Sequence, residues 1–272
     1  MKQHLAANLA ALAFGACAPG NPPLATTISH PVATLSAEQK SSIGKKIWQN
    51  ESAGTVNGLT AWNAGEEFPS LGIGHFIWYP AGFNGRFRES WPEMIAFATQ
   101  QGTNPPAIAR MRHSPWSSRT EFQKHFNSAE MVALRRWLAT HVAVQTDYII
   151  ARSRDSLPII LAAAPASERS RIRANYHKVA SSSQGTYALI DYVNFKGDGT
   201  SPTETYNGQG WGLLQVLGNM KDVPAGPAAA NEFAAAAKRI LSRRIAHSPP
   251  ERGEARWRVG WHHRCDTYAR PL

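Results

Sequence analysis

From Thr55 to Pro80 the chain has no helical period. The stretch "TVNGLTAWNAGEEFPSLGIGHFIWYP" sets Gly58, Gly65, Gly72 and Gly74 among Thr, Trp and Phe. Such a mixture forms short strands and turns. Helical patterns flank it on both sides, so the fold must place a small β element early and build the remainder from helices. Chemistry concentrates in the same region. Residues 50–80 hold Glu51, Glu66 and Glu67 with no Lys or Arg, in a chain whose formal net charge is +10.

The helices announce themselves by caps and spacing. "LSAEQKSSIGKKIWQN" opens with Ser36 and has Gln39 three residues on, a capping box. Ile43 and Ile47 then share a face, and the pattern ends at Asn50 or Glu51. "SWPEMIAFATQQG" has Ser90 as N-cap, Glu93 at the capping-box position and Gly102 beyond its end. "NSAEMVALRRWLATHVAVQTDYIIARS" predicts one long, mostly buried helix, with "PIILAAA" following after a break at Pro158. Further helices are predicted in "ASERSRIRANYHKVAS", in "TYALIDYVNFKG" up to Gly197, and in "GWGLLQVLGNM" after a Gly-rich loop. "PAAANEFAAAAKRILSRRIAHS" places Lys and Arg in its last turns, as the helix dipole prefers. "EARWRVGWHHRCDTYA" is the last element. There is no internal repeat.

The first residues read as a leader. "MKQHLAANLAALAFGACAPG" carries Lys2, an apolar Ala/Leu run and then small residues, the layout of a signal peptide over residues 1–18. "Phe14-Gly15-Ala16-Cys17" resembles a bacterial lipobox, which would lipidate Cys17 and attach the protein to a membrane. A plain cleavage site ending at Ala18 is the alternative. Residues 19–35 are rich in Pro and Thr and form a tether, which leaves residues 36–272 as a single domain. Cys265 is then a lone buried thiol. The adjacent His262 and His263 are surface residues, and no Cys/His pattern of metal-ligand spacing exists, so no metal or cofactor is expected.

Glycosidic cleavage needs a proton for the leaving oxygen and a second group that stabilises the sugar cation or activates water. Two carboxylates in unlike surroundings supply both. Glu51, at a helix end near Trp48 and Trp62, suits the acid in an apolar wall. Glu66 or Glu67, on the turn after Gly65, suits the exposed second role.

Helix, Glu, β-turns and "Ser-Leu-Gly-Ile-Gly-His" together resemble the lysozyme superfamily, the phage-type enzymes above all. The resemblance implies an α+β, mainly α fold: a lysozyme-like helical domain with a small β-hairpin insert near the N-terminus. It matches Glu51 to the general acid, Glu66 or Glu67 to the hairpin acid, and Ser70 to the residue that positions water. Gly72, Gly74 and His75 match the turn whose histidine braces the site. "Trp211-Gly212-Leu213-Leu214-Gln215" is similar to a segment of transglycosylase-type and goose-type lysozymes. The chain departs from the phage enzymes in a longer Glu51–His75 spacing and in a Glu for the usual Asp.

A second polar cluster, "LIDYVNFKGDGTSPTETYNGQGWGLLQV", gathers Asp191, Asn194, Asp198, Glu204, Asn207, Gln209 and Trp211 around glycines. Amides and carboxylates beside an aromatic face suit a sugar. The predicted substrate-binding residues are therefore His75, Trp62, Asn194, Gln209, Trp211 and Gln215. No phosphate loop and no serine nucleophile elbow occur. The Arg clusters "SERSRIR" and "KRILSRR" lack interleaved aromatics, so nucleic acid is not the expected partner.

The sequence thus points to an exported peptidoglycan-cleaving glycosidase of the periplasm or cell envelope, with secretion as the alternative. A lytic transglycosylase, a chitosanase-like enzyme acting on a deacetylated amino-sugar polymer, and a non-catalytic wall-binding protein are the other candidates.

Overall fold

The computed structural model describes residues 35–272. The leader, Cys17 and all but the last residue of the tether lie outside the described residues. Leu35, assigned to the tether, is only 7% exposed and joins the hydrophobic core.

Helix α1 (Ala37–Ser52) opens on the capping box. Gln39 N donates to Ser36 Oγ at 3.2 Å, and Ser36 N donates to Gln39 Oε1 at 2.8 Å. Ile43 and Ile47 are fully buried, and Ala53 ends the helix in the left-handed region just beyond Glu51. Next come a 3-10 turn at Asn57–Leu59 and three short strands, β1 (Thr60–Ala61), β2 (Ser70–Leu71) and β3 (Phe76–Ile77). They form an antiparallel sheet in the order β1-β2-β3, with Thr60 opposite Leu71 and Ser70 opposite Ile77. The insert is therefore a three-stranded sheet rather than a hairpin.

Helix α2 (Trp91–Gln100) starts at Ser90, but no capping box forms there. The Ser90 hydroxyl accepts from Ile77 N at 3.1 Å, and Glu93 pairs with Arg88 at 2.9 Å. The sheet has taken the cap. Helix α3 (Arg119–Lys124) lies in a segment that gave no periodic signal. The long helix predicted over 127–153 is two helices, α4 (Ala129–Thr140) and α5 (Val142–Ala163), separated at His141. The predicted break at Pro158 is absent, because α5 runs through it. Pro158 and Arg154, whose carbonyl loses its helical donor, both lie on the exposed side of the helix, where the lost bond costs least.

Helix α6 (Arg169–Ala180), helix α7 (Ser183–Lys196), a hairpin of β4 (Thr205–Tyr206) and β5 (Gln209–Gly210), and helices α8 (Leu213–Asn219), α9 (Pro227–His247) and α10 (Arg258–Thr267) complete the chain. The architecture is mainly α with small antiparallel sheets. Helix α7 is its axis and packs against α1, α5, α6, α8 and α9. Every residue from Gly185 to Val193 is buried, which is why this segment shows no polar stripe. Among the described residues no helix is long and apolar enough to cross a membrane.

Ser182 caps α7 by accepting from Gly185 N. A Cβ at Gly185 would stand 1.9 Å from the Val179 carbonyl oxygen, and backbone cannot step aside. Gly185→Ala should therefore cost about 2 kcal/mol, or roughly 4–8 °C in Tm for a domain of this size. Thermal unfolding checks this, and an unchanged Tm would contradict the close approach of the α6–α7 turn.

Candidate functional site

The turn from β2 to β3 is where local sequence decides the site. Gly72 has φ +75° and His75 φ +47°, both left-handed, and the first suits glycine. A Cβ on Gly72 would lie 2.5 Å from Gln145 Oε1, and one on Gly74 would lie 2.7 Å from Asn194 Oδ1. The two glycines thus let the turn press against α5 and α7. Gln145, fully buried, fixes it by accepting from Ile73 N at 3.0 Å. Asn194 Nδ2 donates to Gly74 O at 3.2 Å.

This turn and three helices surround Glu51, whose side chain is 14% exposed. Arg264 Nη1 donates to Glu51 Oε1 at 2.7 Å, and Asn194 Nδ2 reaches the same oxygen at 3.4 Å. His75 Nδ1 lies 3.6 Å from Glu51 Oε2. The other ring nitrogen, Nε2, faces Gly58 O at 3.1 Å. A carbonyl only accepts, so Nε2 carries the hydrogen and Nδ1 is the atom turned to Glu51. The expected apolar wall is not there. Trp48 Nε1 donates to Thr55 O, while Trp62 is buried, donates to Glu66 O at 2.8 Å and packs edge-on to Phe122. Neither Trp reaches the cleft. The wall beside Glu51 is polar and cationic.

Behind Glu51, Arg264 is shared with a second carboxylate. Its Nε and Nη2 each donate to Asp191 at 2.8 Å, and Tyr268 OH donates to Asp191 Oδ2 at 2.6 Å. Asp191 is fully buried. Burial disfavours the Arg264 charge, but Asp191 and Glu51 more than offset it, so the guanidinium titrates well above its ordinary range.

Glu51, Glu66, Glu67, Ser70, His75, Asn194 and Trp211 all line one cleft of about 1120 Å³. Glu66 is half-buried and accepts from Asn63 Nδ2 at 3.0 Å. Burial raises its pKa, against the Asn63 hydrogen bond and the charges of His75, Lys196 and Arg252. Glu67 is exposed on the rim. Ser70 is 4% exposed, and its hydroxyl has no hydrogen-bond partner among the described residues. The second cluster divides. Asp198 and Glu204 also line the cleft, and burial raises the Glu204 pKa. Trp211 shows the cleft only a buried edge, its ring covered by Arg244 at 4.0 Å. Asn207 and Gln209 sit exposed on the β4–β5 hairpin, outside the cleft. Gln215 also lies outside it and braces the loop by donating to Gly199 O at 3.0 Å.

Several cleft residues had not been singled out from the sequence. Lys196 Nζ lies 3.9 Å from the Phe195 ring centre and 3.7 Å from that of Trp261. Burial, with the charges of Arg244 and Arg264, pushes its pKa well below the ordinary lysine range. Trp257 stands beside Trp261, ring centres 5.5 Å apart. Arg256 donates to Ala64 O at 3.5 Å and so ties the Glu254–Trp257 turn to the β1–β2 loop. One signal existed: Trp257, Trp261 and Arg264 follow i, i+4, i+7 spacing, a single helix face. Nothing local marks Lys196. Cys265 is buried as expected, whereas His262 is half-buried against Ser242 rather than on the surface. Among the described residues no group of three or more His, Cys, Asp or Glu is placed to hold a metal ion. The chain matches no family model, and no curated protein or solved structure matches it.

Arg264→Met strips two carboxylates of their counter-charge and should cost about 3–5 kcal/mol. Adding Asp191→Asn should return part of that loss, a non-additivity read by denaturant unfolding. Glu66 gives the opposite sign. Its folded pKa lies above the ordinary 4.5, so ionisation favours the unfolded chain. Stability linked to Glu66 is full below that value and falls as pH rises through the folded pKa. Glu66→Gln should therefore raise Tm near neutral pH and match the parent protein below pH 4.5. A lower Tm at neutral pH would overturn the assignment.

Proposed function

We propose that the chain is a lysozyme-like glycosidase of the cell envelope that cleaves peptidoglycan or a related amino-sugar polymer, with Glu51 as proton donor. One observation carries this reading. Glu51, Glu66 and Ser70 come from a helix, a loop and a strand, yet line one cleft large enough for a polymer segment.

The chemistry follows from which oxygens are free. Two donors occupy Glu51 Oε1, so the transferable proton belongs on Oε2, beside His75 Nδ1. From there it passes to the leaving glycosidic oxygen. Glu66, ionised as the charge develops, stabilises the sugar cation. The unpartnered Ser70 hydroxyl holds the water that adds to the sugar cation, and the proton this releases returns to Glu51. A lytic transglycosylase needs only the first of these steps, and its anhydro-sugar product separates it from a hydrolase by mass.

A second reading has its own support. Arg264 holds Glu51 in a part-buried ion pair, which is also how a purely structural carboxylate is kept. A non-catalytic wall-binding protein would look the same there.

Glu51→Gln decides between the two. The amide oxygen still accepts from Arg264, so the fold should persist by circular dichroism. Release of soluble fragments from peptidoglycan should fall by roughly a hundredfold or more. A parent protein that releases nothing from native or deacetylated peptidoglycan would leave only the binding reading.

A further inference from the structure

Lys196 and Arg152 are the cations of the cleft without a hydrogen bond or ion pair among the described residues, and of the two only Lys196 is held between two rings. Arg244 is held by Glu254 through two hydrogen bonds of 2.8 and 2.7 Å. Arg88 is held by Glu93, Arg252 lies 3.7 Å from Glu254, and Arg256 donates to Ala64 O; Arg264, behind the cleft wall, is held by Asp191 and Glu51. The Lys196 ammonium lines the same cleft between Phe195 and Trp261. Among the described residues it makes no hydrogen bond and no ion pair. Ring faces attract a cation but accept none of its N–H bonds in the way an oxygen does. Lys196 is half-buried, so only the water of the cleft serves its N–H bonds, and an arriving anionic acceptor replaces that water with a charge-assisted bond.

The nearby carboxylates do not fill the gap. Glu254 Oε1 already accepts from Tyr206 and Arg244, and its Oε2 from Arg244. Glu51 Oε1 is occupied by Arg264 and Asn194. A sugar hydroxyl would supply an acceptor but leave the charge unbalanced. A carboxylate supplies both.

We propose that Lys196 recognises a carboxylate carried on the glycan, so that the substrate class is an acidic amino-sugar polymer rather than a neutral or cationic one. The inference rests on the glycan reading of the cleft given above. The aromatic clamp holds the lysine chain in place, so little rotamer freedom is lost on binding. Trp257 extends the clamp into an apolar strip for a sugar face. Burial depresses the Lys196 pKa, and a carboxylate beside the amine opposes that shift.

The test is a binding cycle on the full chain carrying Glu51→Gln, which stops turnover. One ligand is a soluble peptidoglycan oligosaccharide with its carboxylates intact. The other is the same oligosaccharide after its carboxylates are coupled to methylamine as neutral amides. Tryptophan fluorescence follows binding, because Trp261 touches the lysine. The acidic ligand should bind about tenfold more tightly, the scale of one charge-assisted hydrogen bond. Adding Lys196→Met should erase that preference, and its residual binding of the amidated ligand shows that the variant folds. Lys196→Arg should keep most of the preference.

Equal affinity of the two ligands with Lys196 intact overturns the proposal without any Lys196 variant. So does a Lys196→Met protein that keeps the preference, or one that loses both ligands alike. Tighter binding of a deacetylated, cationic oligosaccharide would hand recognition to the cleft acids. If neither ligand binds, the glycan reading falls and takes the proposal with it. Binding without preference sinks the proposal alone.

Discussion

One buried guanidinium holds the site together. Arg264 on α10 bonds to Asp191 on the central helix α7 and to Glu51 at the end of α1. Without it two carboxylates would face each other's charge in a poorly solvated space. The arrangement adds little net stability, because desolvating three charged groups offsets most of their attraction. Its effect is geometric. Three helices can pack in only one relative setting that satisfies every donor of the guanidinium fork. In that setting Glu51 presents Oε2 toward His75 and the cleft.

The β insert follows from this frame rather than creating it. Gly72 and Gly74 allow close approach to Gln145 and Asn194. Those two side chains in turn hold the turn by its backbone. Gln145 also donates to Leu138 O and His141 O, carbonyls at the junction of α4 and α5. The same amide thus fixes the sheet and covers the break between two helices. No single element of the site is rigid alone.

What could be read from the sequence was local. The Ser36 capping box, the Ile43/Ile47 face and the helix stop at Gly197 depend on neighbours within one turn, and the structure contains them. Long-range partners overrode local signals elsewhere. Ser90 gave its cap to Ile77, and Gln145 sealed a helix break that no Gly or Pro marked. Pro158, a breaker by type, stayed in a helix on its exposed side. The site shows the same division. The Gly-Ile-Gly-His turn and the carboxylates stood out as a motif. The partners of Glu51 did not, since Asn194 is 143 residues away and Arg264 213. Trp62 and Trp48 were near Glu51 in sequence and turned elsewhere. Trp257 and Trp261 were distant in sequence and line the cleft.

The position of Arg264 along the chain has a consequence for assembly. Residues 37–247 carry nine of the ten α-helices among the described residues, and all of them are synthesised before Arg264. Until α10 docks, Asp191 sits in the central helix as an isolated charge that the packed interior cannot accept. The state in which Arg264 holds Glu51 forms only once that last helix has docked.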